Sequence, residues 1–302
     1  MSVEVIKLNS QLADKEADKL EGQFIEEAEI DRLVTADADV YKPNGEVLFK
    51  FRKSCLPAEQ CSTAFAILRG LRQPITNRHT ASQGISINPV RKDGLLSQTN
   101  RVTRQSYADF DYTTSAIIGY YDRYSRFPYC RQTAFNINEP KKFGRLIPLF
   151  RSIDTIFASE MPERYANQKA AVAATHPDWI ISGTAFTTVT VNRNWRTRIH
   201  QDAGDLKEGF GVMCVFNAGK YEGCYFAYPK YRIAVDVGTQ DLLLDDVHEW
   251  HGNTELRGKR GFFERVSCVF YYRENMRKCG TQEEELARVK QRWPGRPMPL
   301  YD

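Results

Sequence analysis

Between Ile180 and Tyr272 the chain is cut into short runs of β-branched and aromatic residues, each closed by a turn former. That spacing points to antiparallel β-structure. Ile180–Val191 comes first, followed by Phe210–Phe216, Gly223–Tyr228, Tyr231–Val237, Asp241–Leu244 and Arg265–Tyr272. Gly, Asn, Asp or Pro separates one run from the next, and these residues suit turns through permissive φ angles or local side-chain hydrogen bonds. Helical spacing frames the train. Residues 57–71 begin on a proline and repeat Cys61, Ala64, Leu68 and Leu71 at helical intervals. A longer helical stretch from about Lys142 to Ala174 carries Leu146, Phe150, Ile153 and Phe157 and breaks near Pro162. The polar, acidic first 30 residues read as an N-terminal arm, and Thr281–Arg292 reads as a surface helix ending at Pro294. With 302 residues and 42% hydrophobic content, one large core is affordable, so a single domain is expected over 1–302. Its parts are the arm (1–35), a mixed region with supporting helices (36–175), the β core (176–275), and a C-terminal helix and tail (276–302).

Inside the train lies His200-Gln-Asp202, whose two ligand-type side chains project to one face if the segment is extended. A second histidine follows in Asp245-Asp-Val-His-Glu-Trp-His251, where His248 and His251 are both available. Two imidazoles and one carboxylate on one face of a metal leave the opposite face open, the donor set of non-haem Fe(II) oxygenases. On the last strand Arg265, Ser267, Val269 and Tyr271 share a face, so Arg265 and Tyr271 can both point into a barrel that carries the triad. A guanidinium there is suited to clamping a carboxylate bidentately.

The strings His200–Asp205 (HQDAGD), Pro229–Asp246, His251–Glu255 (HGNTE) and Arg265–Arg273 (RVSCVFYYR) resemble the double-stranded β-helix core of the Fe(II)/2-oxoglutarate dioxygenases. Within these they are similar to the TET/JBP family of nucleic-acid base oxygenases, above all its viral and algal members. The Cys-rich zinc region and long low-complexity insert of human-type members are absent from the sequence. The resemblance implies an α+β fold with a jelly-roll, cupin-like core buttressed by helices. It makes His200, Asp202 and His251 the iron ligands and Arg265 the anchor of 2-oxoglutarate, since the family places a short His-Gly turn after the distal ligand, as at His251-Gly252. His248 then falls to a loop or supporting role. It further implies that Asp205 and Arg273 contact a flipped base, with Tyr271 beside them, although the family carries Asn and His at those two positions. An acceptor at Asp205 suits the exocyclic amino group of cytosine and donors at Arg273 suit N3 and O2, so the expected reaction is oxidation of the 5-methyl group of 5-methylcytosine in DNA, to hydroxymethyl and further products. A thymine-base hydroxylase is the alternative. The string around Asp205 is also similar to that of an algal member that uses ascorbate to transfer a glyceryl group to 5-methylcytosine. Phe216, Tyr225, Phe226, Val269 and Tyr271 are candidate lining residues, and a methyl inside a duplex requires base flipping.

A formal charge of +4 is only mildly basic for a nucleic-acid partner. Cations and aromatics nevertheless interleave at Arg101, Arg104, Tyr107 and Phe110 and through Tyr120, Tyr121, Arg123, Tyr124, Arg126, Phe127, Tyr129 and Arg131. Such a mixture suits phosphate contacts and stacking on unpaired bases. Lys141, Lys142 and Arg145 follow it, and Arg193, Arg196 and Arg198 flank the iron motif. Seven cysteines without a Cys-x-x-Cys pair argue against a disulfide framework and against structural zinc. With neither a signal-peptide build nor an apolar run of transmembrane length, the expected location is cytoplasmic or nuclear, or the cytoplasm of an infected host. No membrane and no obligatory protein partner is expected. The rival readings are a cupin-like isomerase, a small-molecule or nucleotide hydroxylase, and a non-catalytic module with a broken triad.

Overall fold

A computed structural model describes residues 3–9, 11–71, 114–124, 127–292 and 294. In chain order the early strands are β1 (Glu4–Lys7), β2 (Arg32–Val34), β3 (Ala38–Tyr41), β4 (Val47–Arg52), β5 (Thr114–Tyr121) and β6 (Arg131–Gln132). After the central helices come β7 (Thr188–Arg193), β8 (Gly211–Gly219), β9 (Glu222–Gly223), β10 (Phe226–Tyr228) and β11 (Ile233–Val235). The last are β12 (Leu242–Asp245), β13 (Gly252–Asn253), β14 (Leu256–Arg257) and β15 (Phe263–Tyr271). The helices are α1 (Asp14–Ala17), α2 (Ala58–Leu68), α3 (Ala134–Asn138), α4 (Pro140–Glu160), α5 (Pro162–Ala173) and α6 (Gln282–Arg292).

Among the described residues, nine strands form one sheet in the order β1-β3-β4-β12-β8-β15-β7-β5-β6, and β13-β10-β11-β2 form a smaller one. Neighbours in the large sheet run antiparallel except the edge pair β1 and β3. The sheets face each other across Val40, Phe49, Phe51, Met213, Val215, Phe226, Tyr228, Ile233 and Leu243, so the fold is α+β with a jelly-roll core. β-Structure is drawn from beyond residues 176–275, because β3, β4 and β5 extend the sheet on both sides. Local pattern marks strands but carries no information about which of them pair.

The outer face of the large sheet is covered by helices. Leu146, Phe150, Ile153 and Phe157 of α4 and Cys61, Ala64 and Leu68 of α2 pack on Val212, Cys214, Leu242, Val266, Cys268 and Phe270. The expected helical stretch is therefore two helices divided between Glu160 and Pro162, where proline cannot continue the backbone ladder but can open a new first turn. Alternation on β15 sends Val266, Cys268 and Phe270 to the helices and Arg265, Ser267, Val269 and Tyr271 to the barrel. Phe216 lies in the helix-facing core, away from the site it was expected to line.

The first residues are more firmly held than an arm. Ala17 and Ile25 are buried beside Ile199 and Trp250, Gly22 N donates to Ile199 O at 2.8 Å, and Ile199 N donates to Gln23 O at 2.9 Å. Two small hydrophobic anchors and backbone pairing suffice to dock a segment that is polar on average.

Phe270 packs edge-on to Phe150 at 5.0 Å and against Phe186 at 5.4 Å, with no exposure. Truncating Phe270→Ala should cost about 3–5 kcal/mol through lost burial and a residual cavity. The check is the denaturation midpoint in urea, with far-ultraviolet circular dichroism of the native form unchanged.

Candidate metal centre and substrate pocket

His200 lies in the irregular link between β7 and β8, and His251 just ahead of β13. The two form an isolated antiparallel bridge, with His200 N donating to His251 O at 2.9 Å and His251 N donating to His200 O at 3.0 Å. Pairing at one register sets the rings side by side, with centroids 4.4 Å apart. Asp202 completes the group: its Oδ1 is 3.5 Å from His200 Nε2 and its Oδ2 is 3.8 Å from His251 Nε2. One ligand atom from each of the three residues lies within 4.8 Å of the others.

Protonation on these rings follows from their neighbours. His200 Nδ1 sits 2.7 Å from Arg198 O and His251 Nδ1 sits 2.9 Å from Glu249 O. A carbonyl only accepts, so each Nδ1 carries the hydrogen and each Nε2 lone pair is left for a metal. Burial, aided by nearby His200, pushes the His251 imidazole down to about 4, so it stays neutral at physiological pH. Phe226 stacks on it at 5.2 Å. These donors fit a divalent first-row metal. His248 stands outside the group, its ring turned toward Leu206 O at 3.5 Å.

Two cavities meet at His200 and Asp202. The inner one, of about 60 Å³, lies within the barrel between Thr190, Asn192, Met213, Phe226, Asn253, Ser267 and Val269. Arg265 is the next inward residue on β15 past Ser267, and it is 3% exposed. Burial opposes its charge, and Cys224, Tyr221 and Asp236 more than offset that cost. Asp245 also lines this cavity, and its Oδ2 accepts the Tyr228 hydroxyl at 3.1 Å. Burial, with Asp202 nearby, pushes this carboxyl up to about 8, so it holds its proton at neutral pH.

The outer cavity is wider, about 640 Å³, and runs from His200 past Gln201–Asp205 to Trp250, Tyr271 and Arg273. Asp205 and Arg273 pair as an isolated bridge, so the two expected base contacts stand next to each other. Arg273 Nε donates to Asp122 Oδ1 at 2.7 Å, which fixes the plane of the guanidinium. Burial works against the Arg273 charge, while Tyr271, Asp122 and Asp205 raise its pKa overall. Gly204 matters here because a Cβ would come within 3.2 Å of Arg273 Nη2. Tyr271 presents its hydroxyl to Thr190 Oγ1 at 3.2 Å. The docked N-terminal segment supplies Asp18 and Glu21 to the cavity wall, and Asp18 accepts the Trp250 indole N–H at 3.3 Å.

The interleaved cations and aromatics pack largely on one another. The Arg131 guanidinium lies over the rings of Tyr121, Tyr124 and Phe127 at 4.3, 5.3 and 4.5 Å, and Arg123 pairs with buried Glu285. Tyr129 is buried and Tyr120 meets Trp179 edge-on. Arg101, Arg104, Tyr107, Phe110 and Arg126 lie outside the described residues. Lys141, Lys142 and Arg145 are exposed on the first turns of α4. Arg193 pairs with Glu264, while Arg196 and Arg198 stack on Phe24 at 4.3 and 4.1 Å. Cys130 and Cys279, 149 residues apart, form a disulfide that the cysteine count did not suggest. An odd total with no close spacing says nothing about which distant cysteines a fold brings together.

Residues 116–274 match the Tet_JBP family, described as the oxygenase domain of the 2OGFeDO superfamily. The chain is 36% identical over 182 residues to thymine dioxygenase JBP1 of Trypanosoma brucei brucei, covering 58% of this chain and 21% of that protein. It is 35% identical over 250 residues to the bifunctional helicase and thymine dioxygenase JBP2 of Leishmania tarentolae, covering 81% of this chain and 20% of that protein. The chain thus spans about a fifth of the length of these curated relatives. NgTET1 in complex with 5mC DNA shares the fold, with a TM-score of 0.59 at 11% identity over 96% of this chain and 91% of that one.

The depressed His251 pKa sets a pH signature. An unfolded imidazole takes up its proton near 6.5 and the folded one only near 4. Its contribution to stability is therefore full above pH 6.5 and is lost at up to about 1.4 kcal/mol per pH unit as pH falls through that window. Asp245, with its raised pKa, acts in the opposite sense as pH rises from about 3.8 to about 8, so the comparison is with a variant. Urea midpoints of the metal-free protein should diverge from those of His251→Gln above pH 4 and run parallel above pH 6.5. Parallel curves throughout would refute the assignment.

Proposed function

The chain belongs to the Tet_JBP family of 2OGFeDO oxygenase domains, and from that premise we propose that it hydroxylates the 5-methyl group of thymine in DNA. The observation that carries this reading is the outer cavity, which opens onto His200 and Asp202 and bears Asp205 and Arg273 on its wall. Its volume of about 640 Å³ accommodates a flipped pyrimidine. The thymine edge offers an acceptor, a donor and an acceptor in turn, so Arg273 donates to a carbonyl oxygen while Asp205 accepts from N3–H. Relatives named as thymine dioxygenases support that base. The adjacent Asp205 carboxylate supports 5-methylcytosine as a second reading, since it can equally accept from the exocyclic amino group.

His200 and His251 would hold Fe(II) through Nε2 and Asp202 through a carboxylate oxygen. Arg265, charged and buried on the face shared with Ser267, would anchor the far carboxylate of 2-oxoglutarate. When bound together, iron and 2-oxoglutarate would supply O₂-dependent oxidation of a C–H bond of the base methyl. The chain's own residues do the rest. Met213, Phe226, Val247 and Val269 give the inner cavity apolar surface that limits water. Asp245 is buried with its Oδ2 accepting the Tyr228 hydroxyl at 3.1 Å, which leaves Asp202 as the carboxylate that faces both histidines. Asp122 holds the Arg273 guanidinium in place before any base arrives, which reduces the ordering required on binding.

The test is incubation with Fe(II), 2-oxoglutarate and thymine-, 5-methylcytosine- or hydroxymethyl-containing DNA, followed by nucleoside mass spectrometry. Hydroxymethyluracil is the expected product. Hydroxymethylcytosine alone would transfer the assignment to the second reading, and no product from any DNA would remove both. Arg273→Ala should lower kcat/KM by about 10²-fold, the loss of a positioned charged hydrogen bond, while leaving Fe(II)-dependent 2-oxoglutarate binding intact.

A further inference from the structure

The turn that delivers His251 is held by a lysine from the opposite end of the chain. Asp246 and Glu249 bracket this turn, and Lys42 on the β3–β4 hairpin reaches both, with Nζ 2.7 Å from Asp246 Oδ2 and 2.9 Å from Glu249 Oε1. The Lys42 side chain is 8% exposed, against 14% and 15% for its two partners, so solvent screens these pairs weakly. Burial disfavours the Lys42 ammonium, and the two carboxylates more than restore it. The turn's carbonyls face the metal centre: Val247 O accepts from Asp202 N at 3.0 Å, and Glu249 O faces His251 Nδ1 at 2.9 Å. His248 O accepts the Gln201 side chain at 2.6 Å, between His200 and Asp202. Close packing seats the turn as well, since a Cβ on Gly211 would meet Val247 Cγ1 at 2.1 Å.

We propose that Lys42 is a positioning residue for the metal centre, a strut that holds the 246–249 turn in the shape that aims Asp202 and His251 at the metal. Without its ammonium, two partly buried carboxylates three residues apart lose the cation they share and repel, leaving Lys230 Nζ, 3.7 Å from Glu249 Oε2, as a more distant counter-charge on one of them. The turn then opens, and its carbonyls no longer fix the Asp202 backbone or the His251 tautomer. Groups that orient ligands from behind typically change metal affinity by about 10–100-fold. The proposal rests on the metal-site reading above.

Mn(II), a redox-stable probe for Fe(II), should be titrated calorimetrically into the metal-free full chain. Lys42→Met is expected to weaken Mn(II) binding at least about 10-fold, and Lys42→Arg to recover most of the loss. Lys50→Met is the control: Lys50 is also largely buried, with Nζ 3.3 Å from Asp39 Oδ2, but contacts no residue of the turn. It should lose stability and retain Mn(II) affinity. Should Lys42→Met not fold, Glu249→Gln cuts one limb of the strut and is expected to weaken binding several-fold. Its control is Lys230→Met, expected to keep Mn(II) affinity, because Lys230 Nζ also lies 3.7 Å from Glu249 Oε2. Wild-type affinity in folded Lys42→Met, or in Glu249→Gln where that variant is the one measured, overturns the proposal, as does an equal loss in Lys50→Met. Failure of the wild-type chain to bind Mn(II) overturns the metal-site reading itself.

Discussion

Everything at the metal centre depends on the pair of backbone hydrogen bonds between His200 and His251. Each ring then satisfies its Nδ1 on the carbonyl two residues earlier in its own segment, Arg198 for one and Glu249 for the other. The tautomers are therefore set by local backbone geometry. What the fold must add is the pairing itself, the placement of Asp202 opposite Val247 O, and the seating of the turn that carries Val247 O and Glu249 O. This economy lets ligands 51 positions apart in the sequence form a preorganised donor set without a long polar network.

β15 links that centre to the stability of the molecule. Its even residues, Val266, Cys268 and Phe270, are locked under the helices, and its odd residues face the barrel. A slip of one residue would put Phe270 in the cavity and Ser267 under α4, exchanging apolar and polar faces at once. The helices thus hold the register that places Ser267, Val269 and Tyr271 in the two cavities, although no residue of α4 lines either of them.

Periodicity and motif spacing made the strands, the two-part central helix and the His-Asp-His group legible, because each is local or carried by a short string. The alternation of Arg265, Ser267, Val269 and Tyr271 was legible for the same reason. Asp122, Asp245 and Lys42 were not. Their importance comes from partners 151, 17 and 204 residues away, and an isolated acid or lysine carries no mark of such a partner. Asp245 left one faint signal, an acid closing the apolar run Leu242-Leu-Leu. The docking of the N-terminal segment is hidden by its average polarity, because the informative residues are only Ala17 and Ile25. The basic and aromatic stretch misled in the opposite direction: Arg131 could not be known to stack on its own neighbours until β5 and β6 were paired.

The charges around the outer cavity limit what can enter it. Asp18, Glu21, Asp202 and Asp205 line it together with Arg273, whose own charge is shared with buried Asp122. A phosphate drawn into this space would meet these carboxylates and be repelled, by Asp18 and Glu21 only through solvent because both are exposed. A neutral heterocycle suffers no such penalty and finds both an acceptor and a fixed donor. On the base-oxygenase reading proposed above, a nucleotide would reach His200 with its backbone at the rim and the base alone turned inward. On that reading, the wall would favour a base over a free nucleoside phosphate through its charges, before any individual hydrogen bond is counted.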